Sequence, residues 1–206
     1  MRIGVDFDNT IVSYDGVFHT IAVTEGLVPA DCDRGKDGVR NHLRRAGRED
    51  EWTSLQGRVY GARMDVPLPC DGVLAFFQRC READVPAFVI SHKTRHPFLG
   101  PRYDLHQAAR GWLQRYGFYD QDQLGLGADK IFFELTKEAK LERIATLRCT
   151  HFVDDLPEFL AEPRFPENVE RILFDPSGQH RGIDDFIRCS SWEEIATLLL
   201  GERVAR

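Results

Sequence analysis

The 206-residue sequence predicts an α/β protein: a Rossmann-like parallel sheet flanked by helices, with a small helical segment inserted after the first strand. Three observations carry that reading. Short apolar runs rich in β-branched and aromatic residues alternate with stretches of helical hydrophobic spacing, the order of a βαβ architecture. The runs are apolar throughout rather than alternating, as in strands covered by helices on both faces. Several of them end directly in acids or a hydroxyl: Asp6, Ser91, Asp154 and Asp175.

Residues 2–6 read as the first buried strand, with Ile3 and Val5 apolar. The interval 13–65 is polar and holds three short helical patterns: Val17, Phe18, Ile21 and Ala22; Val39, Leu43 and Ala46; Trp52, Leu55 and Val59. Gly26, Pro29, Gly35, Gly38 and Gly47 separate them. The dense mixed charge of this interval, Arg40, Arg44, Arg45, Arg48, Glu49, Asp50 and Glu51, reads as solvated helix faces. The predicted organisation is a catalytic core of residues 1–12 and 66–206, with 13–65 as the insertion.

Asp71 is a plausible N-cap for a helix carrying Val73, Leu74, Phe77 and Cys80, and 85–90 is the second strand, ending at Ser91. A basic loop spans 92–102. The helix that follows, from about 104, puts Leu105, Ala109, Trp112, Leu113 and Tyr116 inward and stops at Gly117. Residues 131–133 form the third strand, and Thr136 caps a helix with Leu141, Ile144 and Leu147 inside. Strands at 151–153 and 171–174 end at Asp154-Asp155 and Asp175, and a last helix carries Trp192, Ile195, Leu198 and Leu199.

A net charge of −6 argues against nucleic acid as a partner, since no bulk positive surface is available to hold a phosphate backbone. The five cysteines, Cys32, Cys70, Cys80, Cys149 and Cys189, are odd in number and scattered, which fits free thiols in a reducing compartment. The N-terminus lacks the basic-then-apolar pattern of a signal peptide and no apolar run reaches spanning length, so a cytoplasmic protein without a membrane partner is expected. Composition is silent on the oligomeric state.

In an open parallel sheet the C-terminal strand ends share one rim, where such folds build their sites. Asp6 and Asp8 follow strand one, Ser91 strand two, Lys137 strand three, and Asp154 and Asp155 strand four. Clustered carboxylates repel one another unless a cation joins them. Hard oxygen ligands that must also meet phosphate point to Mg²⁺ as cofactor. Beside Lys137 and the Ser91 hydroxyl, such a set forms a phosphoryl pocket in which one carboxylate can attack phosphorus and Asp8 can act as general acid and base.

The chain resembles the haloacid dehalogenase-like (HAD) superfamily of phosphohydrolases. The matching pieces are Asp6-Phe-Asp8-Asn-Thr10, Val89-Ile-Ser91, Lys137, and Phe152-Val-Asp154-Asp155. The resemblance implies Asp6 as nucleophile and metal ligand, and Asp8 as acid/base with its backbone carbonyl on the metal. It further implies Ser91 and Lys137 as phosphate holders and Asp155 as a metal ligand supported by Asp154. His92, where the basic loop leaves the sheet beside Ser91, is grouped with the phosphate-binding residues. Lys137 is preferred over Lys140, one turn later, because it is nearer the rim and the helix N-terminus. The metal set is thus Asp6, Asp8, Asp154 and Asp155.

The insertion 13–65 falls where the superfamily places its mobile cap, with Tyr14, His19, Arg44, Arg45 and Trp52 as candidate contacts. Lys93 and Arg95 in the basic loop could steer a doubly anionic substrate. The implied activity is Mg²⁺-dependent hydrolysis of a small phosphomonoester metabolite through an aspartyl-phosphate. A phosphotransferase or phosphomutase of the same superfamily, or a non-catalytic phospholigand-binding regulator, are the alternatives.

Overall fold

The structure is a computed structural model, described here for residues 1–180, 182 and 185–201. The chain forms two compact units, residues 1–12, 69–92 and 116–206 in the first and 13–68 and 93–115 in the second. Short strands β2 (Val12–Ser13) and β3 (Leu68–Pro69) pair where the chain passes from one unit to the other and back.

The first unit is built on a six-stranded sheet of β1 (Ile3–Val5), β4 (Ala87–His92), β5 (Ile131–Glu134), β6 (His151–Asp154), β7 (Glu170–Phe174) and β8 (Ile187–Cys189). All neighbouring pairs are parallel, and the spatial order is β5-β4-β1-β6-β7-β8. The strand order therefore reverses at β1, and the crevice beyond β1 and β6 is the topological switch point at which such sheets place ligands. Register puts Val5 level with both Val89 and Val153, so the ends carrying Asp6, Ser91 and Asp154 belong to three adjacent strands.

Helices α4 (Val73–Glu82), α6 (Lys137–Thr146), α7 (Pro157–Leu160) and α8 (Trp192–Leu200) complete this unit. A hydrophobic cluster of Phe88, Ile90, Leu141, Ile144, Phe152, Phe159, Phe165 and Leu173 fills the space under α6 and α7. Helix α8 is anchored on the other side of the core by Trp192, whose ring packs on Phe76 at 4.8 Å and whose indole N–H donates to the Thr10 carbonyl at 3.0 Å. Among the described residues the cysteines form no disulfide, and burial pushes Cys149 and Cys189 up to about 11 and Cys80 up to about 12.

Sequence reading and structure differ at three places in this unit. Asp71 does not cap α4: the N-cap is Gly72, in the left-handed region at φ 84°, a conformation that glycine adopts without cost. Strand β8 is three residues long with one buried side chain, and α7 is a single turn begun by Pro157, so neither offers enough residues for a periodic signal.

Gly4 sits in the central strand because there is no room for more. A Cβ there would lie 2.6 Å from a ring carbon of Phe152, which is itself fully buried in the cluster. Gly4→Ala is expected to destabilise the protein by about 1–3 kcal/mol through overpacking. A thermal melt of the variant that matches wild type would contradict this.

The second unit contains α1 (Val17–Thr24), α2 (Lys36–Arg45), α3 (Glu49–Tyr60) and α5 (Leu105–Arg115). Phe18, Leu43, Trp52, Leu55 and Val59 are its core. Trp52 stacks on Phe18 at 5.2 Å, a core position rather than a ligand platform. Helix α5 is tied in by the Trp112 indole N–H, which donates to the Pro67 carbonyl at 2.9 Å. The surface charges pair as solvated faces: Arg44 with Glu49 at 2.6 Å, Arg48 with Glu51 at 2.6 Å and Arg40 with Asp37 at 3.1 Å. Arg45 bonds the Asn41 carbonyl of its own helix. Solvent screens pairs of this kind, so they add little to the stability of the fold. Among the described residues, no helix is long and apolar enough to cross a membrane.

Candidate active site

The site begins with the turn after β1. The Asp6 amide continues the sheet by donating to the Val153 carbonyl at 2.9 Å. The chain then reverses, with the Ile11 and Val12 amides both donating to the Phe7 carbonyl at 3.0 Å. Asn9 makes the reversal possible at φ 55°, a region that asparagine tolerates better than most residues. Phe7 turns into the core against Phe133 at 5.4 Å, which separates it from the acids on either side.

Four side chains meet at the switch point. Lys140 on α6 is 3% exposed, and its Nζ donates to Asp6 Oδ1 at 2.6 Å and to Asp154 Oδ2 at 2.7 Å. Asp154 is fully buried, and its other oxygen accepts from the Leu156 amide at 3.0 Å. Asp155 lies at the margin, where the Thr10 hydroxyl donates to Oδ1 at 3.4 Å. Carboxylate oxygens of Asp6, Asp154 and Asp155 all fall within 4.8 Å of one another. The Lys140 ammonium also lies 4.0 Å from the centroid of the Phe159 ring and 5.2 Å from that of Phe152, so an aromatic floor supports it from the core side.

Burial and charge set the electrostatics. Burial raises the Asp6 carboxyl; Lys140 opposes the rise, Asp154 and Asp8 add to it, and the result is about 7. Asp155 is held well above the carboxylate range by desolvation, then by Asp154 and Asp6. Burial pulls Lys140 down, but Asp154 and Asp6 together more than reverse this and leave it above the ordinary lysine value. One ammonium thus faces three crowded carboxylates, and ionising all of them is costly until further positive charge arrives. Three hard oxygen donors within reach of one point are the donor set that Mg²⁺ takes.

No protein-family model and no curated protein matches the sequence. Among solved structures, a HAD-superfamily hydrolase from Ehrlichia chaffeensis is 11% identical with a TM-score of 0.56, over 96% of this chain and 94% of that one. A phosphoserine phosphohydrolase-like protein from Francisella tularensis is 13% identical with a TM-score of 0.54, over 96% of this chain and 99% of that one. The chain has the haloacid dehalogenase-like fold. A third HAD hydrolase, of family IA variant 3 from Entamoeba histolytica, is 13% identical with a TM-score of 0.55 over 94% of each chain.

On this HAD-like fold the residues singled out from sequence separate into two groups. Asp6, Asp154 and Asp155 are brought together, and Ser91 is buried at the end of the adjacent β4. Asp8 is partly exposed, close enough for its charge to act on Asp6.

Lys137 is not with them. It stands at the first position of α6 with its side chain 45% exposed, 3.6 Å from Glu162. Lys140 takes the place next to Asp6, and helix geometry is the reason. Helical side chains lean toward the N-terminus, so position 140 reaches back to the level of the strand ends while position 137 reaches past them. Thr136 caps α6 as expected, its hydroxyl accepting from the Ala139 amide at 3.1 Å.

The His92 ring is turned to the β5–α6 connection, where it bonds the Leu135 backbone. Partial desolvation, with the Lys140 and Lys137 charges, holds it below the usual imidazole range. Asp175, the other acid at a strand end, is absorbed by its own turn, accepting from the Gln179 amide at 3.0 Å and the His180 amide at 3.1 Å.

Proposed function

We propose that the protein is a Mg²⁺-dependent phosphatase that hydrolyses a small phosphomonoester through a phosphoryl group carried on Asp6. The observation that carries this reading is the buried Asp6 at the switch point, locked by Lys140 and crowded by two further carboxylates. Asp6, Asp155 and the Asp8 backbone carbonyl would hold the metal, with Asp154 orienting Lys140. When bound, Mg²⁺ supplies charge neutralisation for both the carboxylates and the phosphoryl oxygens.

The protein groups then divide the reaction between them. With Oδ1 held by Lys140, Oδ2 of Asp6 attacks phosphorus and the bond to the leaving alkoxide breaks. Asp8 gives that oxygen its proton. In the second half Asp8 takes a proton from water as the water attacks the same phosphorus, which releases inorganic phosphate and restores Asp6. Lys140 replaces Lys137 as the ammonium that stabilises the transferring group. Ser91 donates its hydroxyl to a phosphoryl oxygen, and His92 contributes its backbone N–H rather than its ring. The segment 13–65 serves as the cap that excludes water and selects substrate. The compartment is assigned as the cytoplasm.

Release of nitrophenol from para-nitrophenyl phosphate tests the reading. Turnover is expected with millimolar Mg²⁺, with loss on chelation and recovery when Mg²⁺ is restored. Activity undiminished by chelator would remove the metal from the proposal.

A further inference from the structure

We propose that the cleft between the 61–65 segment and α5, in the second unit, binds a small molecule that carries two anionic groups, carboxylates or phosphates. Its volume is about 430 Å³, the size of a small-molecule site, and Gly61, Arg63, Asp65, Ala108, Gly111 and Arg115 are among its lining residues. All six belong to the second unit, and none has a part in the proposed phosphoryl chemistry. The site is therefore independent of the phosphatase reading.

Two guanidiniums are gathered on one residue. The Arg63 Nε lies 3.6 Å from Asp65 Oδ1, and the Arg115 Nη1 donates to the Asp65 carbonyl at 3.1 Å. Neither contact engages a guanidinium fully. A charge-assisted hydrogen bond to a carboxylate is about 2.7–2.9 Å long, so Arg63 and Asp65 are loosely paired, and the Asp65 side chain is 57% exposed. Arg115 meets a neutral oxygen, and among the described residues it has no carboxylate partner. Each guanidinium offers five N–H donors in a planar fork that matches a carboxylate or a phosphate, so two of them side by side call for two such groups. The helix macrodipole accounts for a cation at 115, the last residue of α5, but not for a second one on the same aspartate.

Gly111 keeps the cleft open. It stands inside α5, where glycine is the poorest helix former after proline, and its φ is not positive. Outside its own helix backbone, a Cβ at this position would meet nothing within 4 Å. Gly61 differs, because a Cβ there would lie 2.6 Å from the Tyr103 Cβ, and packing forbids it. Neither backbone nor packing calls for glycine at 111, whereas a cleft that admits a ligand does. The walls are also fixed in advance. The Arg63 amide donates to the Arg58 carbonyl at 2.9 Å, the Val66 amide to the Arg63 carbonyl at 3.1 Å, and the Trp112 indole ties Pro67 to α5 at 2.9 Å. Walls held in this way need no ordering when a ligand arrives.

Calorimetric titration of the whole chain in Mg²⁺-free buffer with acetate, succinate and pyrophosphate tests the site. Succinate or pyrophosphate is expected to bind with a Kd of about 1 mM or below, at least about 10-fold tighter than acetate. The two probes tell whether carboxylates or phosphates are taken. Arg115→Ala and Gly111→Leu should each weaken that binding by at least about 10-fold, the first by removing a charge and the second by filling the cleft with all charges kept. Both positions are exposed, and Arg63→Ala stands in for Arg115→Ala should that variant fail to fold.

A joint loss of binding in the arginine and glycine variants supports the site. Binding that the folded variants all retain lies elsewhere and overturns it. A loss confined to the arginine variants places the anion on the open surface and overturns the cleft. Binding no tighter than that of acetate, or none up to about 10 mM, overturns it as well.

Discussion

Asp6→Asn is expected to lower turnover of an aryl phosphate by about 10⁴-fold or more while leaving the protein folded. The amide keeps the shape of the carboxylate and one oxygen for the Lys140 ammonium, now 2.6 Å from Asp6 Oδ1, but it is no nucleophile. Stability should move little or rise. Burial raises the Asp6 carboxyl to about 7, so its ionised form costs the fold something, and the neutral isostere avoids that cost. Lys140 keeps a full partner in Asp154 at 2.7 Å. The two readouts are a Tm at or above wild type and a rate at the detection limit. A variant that is folded and as active as wild type would remove Asp6 from the chemistry, whereas an unfolded one would show that the carboxylate is structural.

The parts of this fold that were legible in the sequence are those with many buried positions in a row. β4 has five buried residues in succession, and α6 is announced by a capping threonine followed by apolar positions at helical spacing. The acids were legible because a carboxylate at the end of an apolar strand conflicts with both burial and strand preference, and Asp6 and Asp154 are indeed almost wholly buried. Such a conflict marks a site. What stayed hidden was a matter of reach and direction. Lys137 and Lys140 differ by one turn, and no spacing rule states how far a four-carbon side chain leans back along its helix.

The exchange of roles between two lysines on one helix gives the sharpest contrast available in this protein. Lys140→Met removes an ammonium that is 3% exposed and leaves Asp6 and Asp154 facing each other without it. Breaking a buried ion pair from one side costs about 3–5 kcal/mol, because the abandoned charge stays desolvated. For a chain of this size each kilocalorie lowers Tm by about 2–4 °C, so a loss of roughly 6–20 °C is expected. Activity should fall at least about 10²-fold as well, since the same ammonium faces the transferring group. Lys140→Arg should not rescue: a planar guanidinium is a poor substitute for a compact ammonium enclosed by two carboxylates and the Phe159 ring at 4.0 Å.

Lys137→Met touches only an exposed pair with Glu162 at 3.6 Å, worth at most about 1 kcal/mol, and should melt and turn over close to wild type. Mg²⁺ separates the structural from the chemical part of the Lys140 loss. A divalent cation can replace the missing positive charge among Asp6, Asp154 and Asp155 and so recover part of the Tm, but it cannot replace a hydrogen-bond donor fixed beside Asp6. Partial recovery of Tm by Mg²⁺ without recovery of rate is therefore the expected pattern for Lys140→Met. An active Lys140→Met beside an inactive Lys137→Met would reverse the assignment.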